Sequence, residues 1–279
     1  MTPVSNFLRK FFVLLENAGF DPIDRSPAAM EIRSFPPPES VQTAFSQATQ
    51  SFISATDYLE ALDSLVSMEK FAMAPWSCAR GMIESSAIST WLFEMGIGAK
   101  ERVSRSLSLR YSALREQEKM ARYDGDNKKV QDIKDRIDSI EKLAVELGFS
   151  VLRDKKNQQS GIAQIRPSIT TLIGKQFKEE NLYRMLSGMA HSDYTSLTAL
   201  SFFRTDLEKK HGAVLIRAVP TQIQSALVTH AATIYAKCVW LRTLQYGFDA
   251  ASVAVLLEEL YNDLMVVDTN NARFWRTLI

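Results

Sequence analysis

Arg80 and Glu84 stand four positions apart, which on a helix puts them on one face. That face also carries Ile88 and Trp91, so the charges keep apolar company. A buried lone charge is costly, and a buried pair survives only when well satisfied. Two readings follow. The pair braces its helix as a structural ion pair, or it forms a polar binding site that positions a ligand or a catalytic group. If it is desolvated, Arg80→Ala strands Glu84 at a cost of about 3–5 kcal/mol.

His191 follows Leu186-Ser187-Gly188-Met189-Ala190 and precedes Ser192-Asp193. Small, polar neighbours of this kind suit an accessible helix end. Imidazole moves protons near neutral pH and serves as general acid or base. Arg184 lies seven positions earlier, about two helical turns, so both side chains can face one way. An arginine can hold a phosphate while the histidine moves a proton. His191 and Arg184 are thus the candidate catalytic residues, with Arg80, Glu84, Ser187 and Asp193 as candidate binding residues. The plainer reading of His191 is a structural histidine at a helix end. Arg204 and His211 repeat the spacing inside the charged turn Asp206-Leu207-Glu208-Lys209-Lys210 and form a built-in control. His230, on an apolar stripe, reads as a core histidine with a hydrogen-bond partner.

No glycine-rich phosphate loop and no Gly-x-Ser-x-Gly occurs. His191 and Asp193 have no further His or Cys at metal-ligand spacing. The expectation is therefore no metal and no cofactor.

The elements that must position these residues are helical. Val41, Phe45, Ala48, Phe52, Ala55, Leu59, Leu62 and Val66 step by four and three, one face of a long helix after Pro36-Pro37-Pro38. Pro75 opens a helix that is apolar on most sides, through Trp76, Met82, Ile83, Trp91 and Leu92, and such a helix belongs at a domain centre. Residues 99–147 read as a charged helical hairpin turning at Asp124-Gly125-Asp126. Its second arm carries a heptad-like stripe of Val130, Ile133, Ile137, Ile140, Ala144 and Leu147. Residues 153–161 read as loop. Ser201-Phe202-Phe203 and Ala213-Val214-Leu215-Ile216 flank a charged turn and suggest a small β-hairpin. Two further helices follow, from Pro220 to Gly247 and over 250–267. The fold class is all-α: a helical bundle over 1–279 as a single domain, with an inserted, projecting helical hairpin at 99–147 and one small β-hairpin.

The 279 residues are 46% hydrophobic and 23% charged, ordinary for a globular chain. Lys plus Arg is 33 against 32 Asp plus Glu, which excludes a nucleic-acid coat protein with a basic surplus but allows a local basic patch. Cys78 and Cys238 sit in apolar stretches outside any CxxC and suit a reducing, cytoplasmic setting. No run approaches the ~20 apolar residues of a membrane span.

The segments Ala79-Arg80-x-x-x-Glu84-Ser85-Ser86-Ala87, Trp91-Leu92, Glu101-Arg102-Val103-x-Arg105 and Tyr183-Arg184-x-Leu186-Ser187-x-x-Ala190-His191 resemble a group of bacterial helical proteins. That group is similar to the HEPN superfamily of nucleotide-binding helical domains. The likeness spans roughly residues 40–250. It implies a HEPN-like bundle, often a homodimer. In catalytic members an Arg and a His form a metal-independent ribonuclease site across the dimer, and Arg184 and His191 match those positions. Met185 departs from the pattern, because active members usually carry a polar residue there, most often asparagine.

Two functions stay open beside a third idea, a purely structural scaffold using the charged hairpin. In one, an endoribonuclease of bacterial defence or stress response acts on RNA. His191 moves a proton of the ribose 2′-hydroxyl or of the leaving oxygen, Arg184 stabilises the pentacoordinate phosphate, and a cyclic phosphate results. In the other, a non-catalytic HEPN-like module binds a small ligand or a partner protein through Arg80, Glu84 and His191.

Overall fold

The computed structural model describes residues 2–19, 21–68, 71–153, 159–191, 193, 202–205, 214–217 and 221–268. The order is α1 (Pro3–Ala18), α2 (Pro27–Ser34), α3 (Pro38–Ser67), α4 (Ala74–Leu92), α5 (Gly98–Tyr123), α6 (Asn127–Glu146), β1 (Val151–Arg153), β2 (Gln159–Ile162), α7 (Ile169–Phe177), α8 (Glu180–Ala190), β3 (Phe202–Thr205), β4 (Val214–Arg217), α9 (Thr221–Tyr246) and α10 (Ala250–Asp268). The expected all-helical class holds. The hairpin β3–β4 lies where expected, in an antiparallel register running from Phe202 opposite Arg217 to Thr205 opposite Val214. Two elements were not anticipated. Residues 27–34 form a short helix, α2, and the polar stretch read as loop takes part in a second antiparallel hairpin, β1–β2.

The chain divides into two compact units. The first takes residues 1–29, 48–93 and 169–279. Its centre is α4, against which α7, α8 and α9 pack. Trp76, Ala79, Met82, Ile83, Ala87 and Leu92 are fully or almost fully buried, as a helix apolar on most sides requires. Pro75 sits in the first turn of α4, where its missing N–H costs no helical hydrogen bond. Gly81 lets α3 approach, because a Cβ there would lie 2.7 Å from the Tyr58 ring. Gly247 ends α9 at φ 73°, and a Cβ there would also meet Ser26. Only glycine meets both demands cheaply.

The second unit takes residues 30–47 and 94–168. Here α5 packs on α6. Val103, Leu107, Tyr111 and Leu114 are buried on one arm, and Val130, Ile133, Ile137, Ile140 and Ala144 on the other. The heptad stripe of α6 is covered within its own unit, so it supplies no argument for a second copy of the chain. Asp126 caps α6 by accepting from the Lys129 N–H at 2.9 Å.

Among the described residues no helix is long and apolar enough to cross a membrane. Cys238 is buried and Cys78 partly so, and both are free thiols. Burial pushes the Cys238 thiol up to about 12, which leaves it inert at neutral pH.

Candidate functional site

The site lies where α8 ends beside α4, within the first unit. On α8, Tyr183, Ser187 and His191 recur every four residues, a stripe that winds slowly round the helix. Tyr183 is buried at 5% exposure. Arg184, one residue on, is turned by about 100° and is exposed. The helix closes with the His191 N–H on the Ser187 carbonyl at 3.0 Å and the Asp193 N–H on the Gly188 carbonyl at 2.8 Å. That six-residue closure is a common helix C-terminus, and it leaves His191 at the rim with its side chain exposed.

On α4 the spacing of Arg80 and Glu84 does what the sequence suggests. Arg80 Nε donates to Glu84 Oε1 at 2.8 Å. Tyr183 Oη donates to the same oxygen at 2.8 Å, and the guanidinium lies 5.8 Å from the Tyr183 ring centre. Arg80 Nη1 stands 3.2 Å from His191 Nε2. Arginine has no acceptor, so in this contact Arg80 Nη1 donates and His191 Nε2 accepts. The result is a chain of four groups: Tyr183 to Glu84, Arg80 to Glu84, Arg80 to His191.

Burial pulls the Arg80 guanidinium down, but Glu84 and Tyr183 outweigh it and hold it above its ordinary value. Burial, reinforced by the Glu84 carboxylate, pushes the Tyr183 phenol up. Tyr183 therefore stays a donor and Arg80 a cation throughout the neutral range.

One expectation needs correction. The Arg80–Glu84 pair is only partly desolvated: the two side chains keep 23% and 32% of their exposure. Among the described residues, Tyr183 within α8 and His191 at its end contact the pair, which keeps part of its surface open to solvent. Its loss should cost far less than the 3–5 kcal/mol expected of a buried pair.

Among the described residues no hydrogen bond or ion pair joins Arg184 to His191. Their Cα atoms lie about 10 Å apart along the axis, so they can meet only through a ligand that reaches both. The cation in contact with His191 is Arg80. Ser187 is half-buried and Asp193 exposed beside the histidine. His211 and the Arg204 side chain lie outside the described residues. His230 is half-buried, with Nδ1 3.6 Å from Glu179 Oε1, so it has a partner but not a core position. Among the described residues no group of His, Cys, Asp and Glu could hold a metal ion.

The sequence reading gave Tyr183 no role, and it joined Arg80 with His191 only as parts of a shared binding pocket, not as a reacting pair. The one signal for Tyr183 was its place on the stripe that ends in His191.

Comparison with family models, curated proteins and solved structures returns no match. The functional reading therefore rests on the geometry of this cluster and on the short sequence signatures.

Proposed function

We propose that the chain is a HEPN-like, metal-independent endoribonuclease in which Arg80 and His191 form the reacting pair and Arg184 adds a second cation. The observation that carries this reading is the 3.2 Å contact between Arg80 Nη1 and the Nε2 of an exposed histidine. Few structural roles call for an arginine held against a solvent-facing imidazole. A phosphate does.

The chemistry follows from the hydrogen bonds. A phosphodiester docking on the open edge of Arg80 competes for the Nη1 hydrogen, and a charge-assisted bond to phosphate is stronger than one to neutral imidazole. Nε2 is then released as a base. It takes the proton of the ribose 2′-hydroxyl, the 2′-oxygen attacks phosphorus, and the P–O5′ bond breaks. The products are a 2′,3′-cyclic phosphate and a 5′-hydroxyl, whose oxygen takes up a proton from the imidazolium or from water. Arg80 and Arg184 stabilise the charge of the pentacoordinate phosphate. Glu84 and Tyr183 keep Arg80 aimed. Assembly as a homodimer and action in defence or stress belong to the same proposal through the HEPN-like signatures.

A second reading draws on two features. Glu84 already neutralises part of the Arg80 charge, and Met185 replaces the usual polar residue. Both favour a non-catalytic module that binds a phosphate-bearing ligand or a partner protein at the same cluster. The test is cleavage of varied RNAs in EDTA. Parent activity that falls by at least about 10²-fold in His191→Ala, with cyclic-phosphate ends, supports the nuclease. A parent that binds RNA or a nucleotide without cutting supports the module.

A further inference from the structure

A second polar centre lies elsewhere in the first unit. Arg242 on α9 is only 1% exposed. Its guanidinium sits 5.0 Å from the ring centre of Phe52 and 5.1 Å from those of Tyr246 and Phe248. Among the described residues no carboxylate pairs with it, and its Nε and Nη1 are buried without any hydrogen-bond partner. Aromatic faces attract a cation, but they do not accept its N–H bonds with the strength of an oxygen. Buried donors in native proteins are nearly always satisfied.

Arg242 lines a cavity of about 110 Å³. Phe12, Leu15 and Phe52 supply apolar wall, and Thr49 and Thr56 supply hydroxyls. Both hydroxyls are tied to tyrosines, Thr49 to Tyr246 at 2.9 Å and Thr56 to Tyr235 at 2.6 Å. Asp57 and Glu60 also line the cavity, and both are exposed. The arrangement is polarised: a buried cation inside, two carboxylates at the solvent side, and apolar wall in between.

We infer that this cavity binds a small zwitterion of the amino-acid class, its carboxylate on Arg242 and its ammonium on Asp57 and Glu60. A carboxylate supplies the charge-assisted bonds that the rings do not give, and it reaches Nε and Nη1, which are covered in the unliganded cavity, as the wall around Arg242 yields. The acidic mouth disfavours a multiply charged anion such as phosphate and favours a ligand carrying its own positive end. The volume sets the size. A dry cavity of about 150 Å³ holds benzene, so this one suits about five or six non-hydrogen atoms, as in glycine, alanine or β-alanine. Burial lowers the Arg242 guanidinium from its ordinary value, and an incoming carboxylate relieves that penalty.

The experiment is calorimetric titration and thermal melting of the full chain with glycine, L-alanine and β-alanine. Acetate, methylammonium and inorganic phosphate serve as controls. At least one zwitterion should bind with a Kd near or below about 1 mM, within reach of a six-atom ligand. It should bind at least about tenfold more tightly than acetate or methylammonium. Arg242→Met should abolish binding. Because that variant alters the core, Asp57→Asn and Glu60→Gln provide the independent check on exposed positions. Together they should weaken the zwitterion about tenfold and leave acetate unchanged or tighter. Binding of phosphate in preference to every zwitterion overturns the inference. So does zwitterion binding indifferent to all three substitutions, or no binding, with ordered water alone on Nε and Nη1 in a crystal structure.

Discussion

Arg80 in the first unit and Arg102 in the second come from similar sequence, an arginine within a few residues of a glutamate on a helix. Their surroundings differ completely. Arg102 is fully buried. Its Nε and Nη2 grip both oxygens of Glu31 at 2.8 and 2.9 Å, Nη2 also donates to the Glu94 carbonyl at 3.2 Å, and the group lies 4.6 Å from the Phe45 ring centre. Arg105 beside it holds Glu94 and Glu101. These donors are occupied by the protein itself. Arg80 is half-exposed, shares its carboxylate with a tyrosine, and turns toward an exposed histidine. An arginine saturated by its own chain holds a fold together. An arginine that keeps an open edge beside an imidazole is available to a substrate.

The largest effect should come from Arg102→Met. It leaves Glu31, whose side chain is 18% exposed, without its cation, at about 3 kcal/mol, the lower end for a buried pair, read by urea unfolding. Replacing Glu31 as well, with Leu, should restore part of the loss, because the stranded charge goes with it. Arg242→Met provides the contrast. Removing a buried cation that pairs with no carboxylate among the described residues strands no charge there. Loss of the ring contacts is offset by relief of its desolvation, so stability should stay within about 2 kcal/mol of the parent. A loss as large as that of Arg102→Met would show that the two buried arginines are held alike.

Glu118 gives a smaller effect with a defined pH dependence. It is 4% exposed between Arg122 and Arg115. Burial alone would raise its carboxyl, but the two arginines outweigh it and hold it below the ordinary 4.5. A carboxylate depressed in the folded state adds stability that is full above its unfolded value and lost as pH falls through the folded one. Glu118→Gln should therefore cost about 1 kcal/mol at neutral pH. The gap from the parent should close as pH drops from about 4.5 downward. A gap that is constant with pH would assign the effect to packing. The smallest stability change should be that of Arg80→Ala, under about 1 kcal/mol, because the pair is open to solvent. A cost of several kcal/mol would make it a brace like Arg102.

Legibility in the sequence followed the range of the interactions. The stripe from Val41 to Leu62, the apolar α4 and the two arms of the hairpin were readable because helical periodicity is local. The pair β3–β4 was readable because two apolar runs flank one charged turn. Helix α2 was not: Pro27 to Ser34 spans barely two turns, and the partner of its Glu31 lies 71 residues away. Strands β1 and β2 hid because their residues show no alternation of apolar and polar types. The candidate site followed the same rule. Arg80 and Glu84 were legible as an i, i+4 pair. The partners Tyr183 and Glu84 are 99 positions apart and Arg80 and His191 are 111, and no spacing argument reaches that far. Spacing within one helix named Arg184 as the cation of His191, whereas packing of α8 on α4 brought Arg80. Arg242 escaped notice because on α9, which also carries Lys237 and several polar residues, an isolated charge passes for an exposed position until its neighbours are known.

The central claim is that Arg80 and His191 act as one unit on an RNA phosphate. The most direct measurement is the cleavage rate of RNA in EDTA for the parent, Arg80→Ala, His191→Ala and the double variant. All four should be checked to be folded. Each single change should lower the rate by at least about 10²-fold, and the double variant should be scarcely slower than either single, because residues acting as a unit are strongly non-additive. Arg80→Ala cleaving at the parent rate while Arg184→Ala is dead would contradict the account and return the phosphate-holding role to Arg184.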